Sequence, residues 1–224
     1  MDISTTTARR MSRLTWGVAA FATVAGQVHA LSRIADHPED LESPLTRAWA
    51  VPAMDALRPL LDWGDPTYVY WTYGKIWLPI FLTMTVASWI VHRRRRPLGA
   101  ERLAWRILLG AYAVATVAVA GDYYTPWTEV FFVLGLVPML VIGVVGVWLG
   151  VLMLRCGFRP QVTPWALILF LPGFFAITQI TSMGNVILPS LWAWAYALHV
   201  SVRDGGVEAP SSDPPVRATV TPSV

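Results

Sequence analysis

Apolar side chains run through this chain in long blocks, and the polar residues gather between the blocks. A helix needs about 20 apolar residues to cross a hydrocarbon core of about 30 Å. Six segments approach that length. The first, residues 14–31, follows Arg9, Arg10 and Arg13. Its apolar stretch exceeds a signal-peptide core, and Ser32-Arg33-Ile34 offers no small-x-small cleavage site, so a retained helix is expected. The second, residues 71–91, contains Pro79, which predicts a kink. The third and fourth cover residues 103–120 and 130–154. The fifth (PWALILFLPGFFAITQIT) and sixth (NVILPSLWAWAYALHV) are separated by Ser182-Met183-Gly184 alone and read as a hairpin, although one broken or re-entrant element fits the same residues.

The expected fold is therefore an all-α, polytopic integral membrane helix bundle with about six transmembrane helices, five being the alternative. Residues 1–13 form a cytoplasmic segment in this reading, and residues 14–203 form the membrane domain. Residues 32–70 make an outer loop in which Trp49, Met54, Leu57, Leu60 and Leu61 fall at the spacing of an amphipathic surface helix. Residues 204–224, rich in Pro and Ser, read as a disordered tail.

Charge placement gives these elements a direction. With the N-terminus inside, the inner segments hold Arg9, Arg10, Arg13, the run Arg93 to Arg96, Arg102, Arg106, Arg155, Arg159 and Arg203. The outer segments hold only Arg33, Arg47, Arg58 and Lys75. This asymmetry predicts a multi-pass cell-membrane protein with both termini cytoplasmic. Carboxylates gather on the other side: Asp36, Glu39, Asp40, Glu42, Asp55, Asp62, Asp65, Asp122 and Glu129 are nine of the fourteen in the chain.

Composition agrees. Charged residues are 14% of the 224, against about 25% in soluble domains, and the mean hydropathy is +0.50. The net charge of +3 is distributed by topology and forms no groove-sized basic patch, so the expected partners are membrane lipids, with no nucleic acid. Cys156 is the only cysteine, which excludes an intramolecular disulfide and a thiolate cluster. No motif calls for a cofactor, and the acidic stretch ADHPEDLESP matches no metal-ligand spacing, so no metal is expected.

Candidate chemistry concentrates on the outer side, at GDYYTPWTE (residues 121–129). Helix-end rules account for most of it: Gly121 closes the third helix, Tyr123, Tyr124 and Trp127 suit the lipid boundary, Thr125-Pro126 starts the fourth helix, and Glu129 lies in its first turn. Asp122 is left over. Lost solvation near lipid favours a neutral carboxylic acid, and a neutral acid among aromatic faces is equipped to protonate an alkene beside groups that stabilise a cation. The aromatic patch around Tyr73 and Trp77 reads as an interfacial belt, and Lys75 as a snorkelling residue that would otherwise point inward toward Asp122 or Asp65. His29, Gln179 and Asn185 fall in the outer half of their helices, where interhelical hydrogen bonds worth about 0.6 kcal/mol are the plain role. Gly146-x-x-x-Gly150 is a packing signal.

Taken together, His29, Lys75, Tyr73, Trp77, Tyr123, Tyr124, Trp127, Gln179 and Asn185 are the expected lining of an outward polar pocket for a small apolar or amphipathic ligand. Binding, sensing or envelope support is the first functional reading. The rival is a membrane-embedded cyclase or isomerase acting on an isoprenoid or lipid, with Asp122 as acid and Glu129 as its partner. A transporter fits less well, since paired broken helices are not evident.

Overall fold

The computed structural model describes residues 4–203; the tail expected at residues 204–224 lies outside the described residues. Among the described residues all regular structure is helical. Helix α1 (Thr5–Asp36) starts at Ser4, whose hydroxyl accepts from the Thr7 N–H. A 3₁₀ turn (Pro38–Glu42) leads to α2 (Pro44–Ala56) and the short α3 (Arg58–Leu61). Helix α4 (Pro66–Gly74) continues through Lys75 and Ile76 into α5 (Trp77–Arg95). Helices α6 (Gly99–Tyr124) and α7 (Thr128–Arg155) form a long antiparallel hairpin. The shorter α8 (Val162–Ile168), α9 (Phe170–Thr178), a 3₁₀ turn (Met183–Ile187) and α10 (Leu188–Arg203) complete the chain.

Four helices are long and apolar enough to cross a membrane: Thr5–Asp36, Pro66–Arg95 taken through its break, Gly99–Tyr124 and Thr128–Arg155. The expected count of six, or five, is corrected to four. Proline explains the fifth segment. Pro172 has no N–H to donate to Ile168, and its ring crowds that carbonyl. The chain breaks there, at Leu169, into α8 and α9 of seven and nine residues. In the sixth, residues 183–187 form a 3₁₀ turn, which leaves 16 residues for α10, roughly 24 Å of helix. The two segments still run back along the bundle. Trp192 of α10 donates to Thr23 of α1 at 3.0 Å, and His199 meets Trp16 edge-on, so α10 lies antiparallel to α1.

The break between α4 and α5 has the same origin. Pro79 crowds the carbonyl of Lys75, four residues back, and frees it from the helix ladder. The Tyr124 hydroxyl donates to that carbonyl at 3.1 Å, tying the kink to the end of α6.

Large side chains from α5, α6 and α10 fill the core, among them Trp77, Phe81, Trp105, Tyr112, Leu191 and Trp194, all essentially buried. Close approach depends on small residues. A Cβ at Gly150 would press on the Pro164 carbonyl and one at Gly146 on that of Leu167, so these two glycines let α8 lie against α7. Val117, Val133, Val137 and Leu140 stand exposed on the outer faces of α6 and α7, which suits contact with lipid. The molecule is an all-helical bundle consistent with a multi-pass membrane protein.

The bundle has two chemically distinct ends. The starts of α1 and α6 and the ends of α5, α7 and α10 carry most of the described arginines. The opposite end carries all the described carboxylates but Glu101 and is covered by α2 and α3. There Leu31, Ile34, Ala50 and Leu61 form a small second core with Trp49, Met54 and Leu57 packed on it. Trp49 donates to the Ile180 carbonyl at 2.8 Å and Thr46 to that of Gln179 at 3.4 Å, which straps α2 over the turn after α9.

Candidate functional site

At the acidic end a cavity of about 290 Å³ lies between α1, α4, α5, α6, α7 and the turn after α9. Helical spacing builds each wall. His29 and Arg33 recur along one face of α1; Tyr70, Trp77 and Phe81 along α4 and the start of α5; Ala115, Ala118 and Asp122 along α6; Phe131, Gly135 and Met139 along α7. Thr178 and Thr181–Gly184 close the remaining side. The first turn of α4 is set by Asp65, whose carboxylate accepts from the N–H groups of Thr67 and Tyr68, with Pro66 behind it. Thr67 also donates to Asp36 at 2.6 Å, which pins α4 beside the end of α1.

His29 is the hub. Its ring is 2% exposed and stacks on Tyr70 at 5.1 Å, with Trp77 and Tyr123 edge-on at 5.7 and 6.0 Å. The Trp77 indole N–H donates to His29 Nδ1 at 3.1 Å. An indole nitrogen can only donate, so Nδ1 is the acceptor and the ring proton sits on Nε2, 3.4 Å from the Tyr123 hydroxyl. Glycines make this cluster possible. A Cβ at Gly74 would overlap the Tyr123 ring, one at Gly184 the Trp77 indole, and one at Gly26 the Asn185 side-chain oxygen.

Several polar groups here lack protein partners. The Ser182 hydroxyl and the Asn185 Oδ1 are buried without a hydrogen bond among the described residues, although Asn185 Nδ2 donates to Thr181 at 2.7 Å. Asp122 is half-buried on the cavity wall, and no described ion pair or side-chain hydrogen bond engages its carboxylate. Arg33, by contrast, is paired with Asp40 at 2.9 Å.

Of the residues expected to line a pocket, His29, Trp77, Tyr123 and Asp122 share this cavity. Asn185 lies behind it, at Gly26. The others stand apart. Gln179 lines a neighbouring polar hollow. Tyr73 turns away to donate to the Leu60 carbonyl at 2.8 Å. Lys75 is exposed, 5.9 Å from the Tyr124 ring centroid, and no described ion pair joins it to Asp122 or Asp65. Tyr124, Trp127 and Glu129 are exposed and line neither the cavity nor the neighbouring polar hollow. Tyr70, Arg33, Phe131 and Ser182 were not expected in the lining. Tyr70 carried a usable signal: it stands seven residues before Trp77, on the same helical face.

No protein family, no curated protein and no solved structure matches the chain.

Proposed function

We propose that this is a multi-pass cell-membrane protein that binds a small amphipathic ligand in the cavity around His29, with the arginine-rich end and both termini in the cytoplasm. One observation carries the reading: Ser182 and Asp122 face a common hollow without partners among the described residues, while the aromatic groups around them are closely packed. Buried polar groups are normally hydrogen-bonded, and an unmade bond costs about 1–3 kcal/mol. A polar ligand atom would offset that cost, and the aromatic walls would take an apolar body.

Native mass spectrometry of protein released gently from its own membranes tests this. Wild-type protein should retain one small amphiphile, and Val119→Trp, which fills the cavity from α6, should lose it. Identical spectra would refute the reading. Orientation has its own test in Cys156, exposed at the arginine-rich end. An impermeant maleimide should label it only after cells are permeabilised.

The unpartnered carboxylate favours a second reading, a membrane-embedded cyclase or isomerase with Asp122 as the acid. Glu129, exposed and away from the cavity, offers no support as its partner. Asp122→Asn would then abolish turnover while expression and fold persist, seen as a precursor accumulating in lipid extracts of cells.

A further inference from the structure

The cavity does not stand alone. On its solvent side a polar hollow of about 260 Å³ shares Arg33, Thr178, Thr181 and Ser182 with it. On its lipid side a groove of about 420 Å³ between α6 and α7 shares Ala118 and Phe131 with it. This groove is lined by apolar residues alone, and Val114, Val117, Leu134 and Val137 on its walls are exposed on the lipid-facing surface. Along α6 it extends from Ala118 to Ile107, eleven residue steps or roughly 16 Å. Gly121 shapes the junction, because a Cβ there would overlap the Phe131 ring, which lines both groove and cavity.

Resting on the ligand-binding reading above, we infer that these three hollows form one path and that its occupant is a linear, farnesyl-sized alcohol, its chain in the α6–α7 groove and its hydroxyl among Ser182, Asp122 and Arg33. Length selects the chain, since the groove suits a sesquiterpene-sized hydrocarbon that reaches it sideways from the bilayer. Charge selects the head. Arg33 is already neutralised by Asp40, and Asp122 and Glu39 leave the rim net negative, which repels a phosphate. A hydroxyl both donates and accepts. It can donate a hydrogen bond to the Asp122 carboxylate or accept one from the buried Ser182 hydroxyl, which has no partner among the described residues.

Photolabelling of the full chain in nanodiscs tests this, using farnesol with a diazirine midway along the chain and a terminal alkyne. The expected label falls on the groove walls of α6 and α7 and is displaced by unmodified farnesol, with farnesyl diphosphate about tenfold weaker. Val114→Trp, a change on the lipid-facing surface, should reduce labelling severalfold without altering the fold. Ser182→Ala should weaken displacement by farnesol severalfold. Labelling confined to Tyr70 and residues 181–184, untouched by Val114→Trp, overturns the path while the cavity reading stands. Diphosphate competing as well as the alcohol overturns the head assignment. Labelling that no competitor displaces from either region overturns the farnesyl-sized alcohol, while the cavity reading is decided separately by the amphiphile retained in native mass spectrometry.

Discussion

The two ends of the bundle use the same kinds of residue in opposite ways. At the arginine-rich end a column of large side chains crosses the core. The Trp194 indole donates to the Tyr112 hydroxyl at 3.1 Å, Trp105 packs on Trp194 at 5.1 Å and donates to Glu101 at 3.3 Å, and Glu101 is paired with Arg95. The Arg95 guanidinium in turn lies over Phe158 at 4.9 Å. Each of these five polar side chains has a partner within the column. His92 touches the column at Trp105 with both ring nitrogens unpartnered, yet it lines none of the hollows described. At the acidic end His29, Tyr70, Trp77 and Tyr123 are as closely packed, but they surround space, and Ser182 and Asp122 look into it without partners among the described residues. Polar side chains inside the bundle thus divide by what their unused hydrogen-bonding groups face. Satisfied ones hold the fold, and unsatisfied ones beside a cavity point to something outside the chain.

That contrast is breakable by mutation, and the largest effect is expected at the arginine-rich end. Glu101→Ala leaves Arg95 buried and uncompensated, which should cost roughly 3–5 kcal/mol in unfolding measured by SDS titration in bicelles. Retained amphiphile per folded molecule should stay unchanged, since the cavity is at the other end. His29→Leu removes the acceptor for Trp77, and a loss of about 1–3 kcal/mol is expected together with loss of bound amphiphile. It is the one change that should move both readouts. Tyr112→Phe deletes an interhelical hydrogen bond and should cost about 0.6 kcal/mol in the same titration, with no effect on binding.

Much of this architecture was legible in the chain. The four long helices and the segregation of arginine from carboxylate follow directly from block hydropathy and charge placement. Hydropathy overcounts the fifth and sixth segments because it sums side chains and ignores the backbone. It takes no account of Pro172 releasing the Ile168 carbonyl, or of the 3₁₀ turn that shortens α10. The site divides in a similar way. His29, Trp77, Tyr123 and Asp122 could be placed at one depth from sequence, because depth follows from position along a helix. Facing does not. Trp127 and Glu129 share that depth but turn outward, while Tyr70 and Ser182 turn in. Which residues face inward depends on the rotation of α4 and α6, set by Gly74 under Tyr123 and Gly121 under Phe131, and neither contact leaves a trace in the sequence. Ser182 was hidden for another reason: a lone serine in a short turn looks like a linker.

The smallest stability change carries the most information. Ser182→Ala removes a buried hydroxyl that no described residue engages, so its effect on unfolding and on bound amphiphile, measured on one sample by SDS titration and native mass spectrometry, separates the two roles directly. If the acidic end is built around a ligand, the variant should unfold at or slightly above the wild-type midpoint after delipidation, and it should retain markedly less amphiphile. A variant that is clearly destabilised and yet keeps its amphiphile would show that this hydroxyl serves the fold, and the distinction between the two ends would be lost.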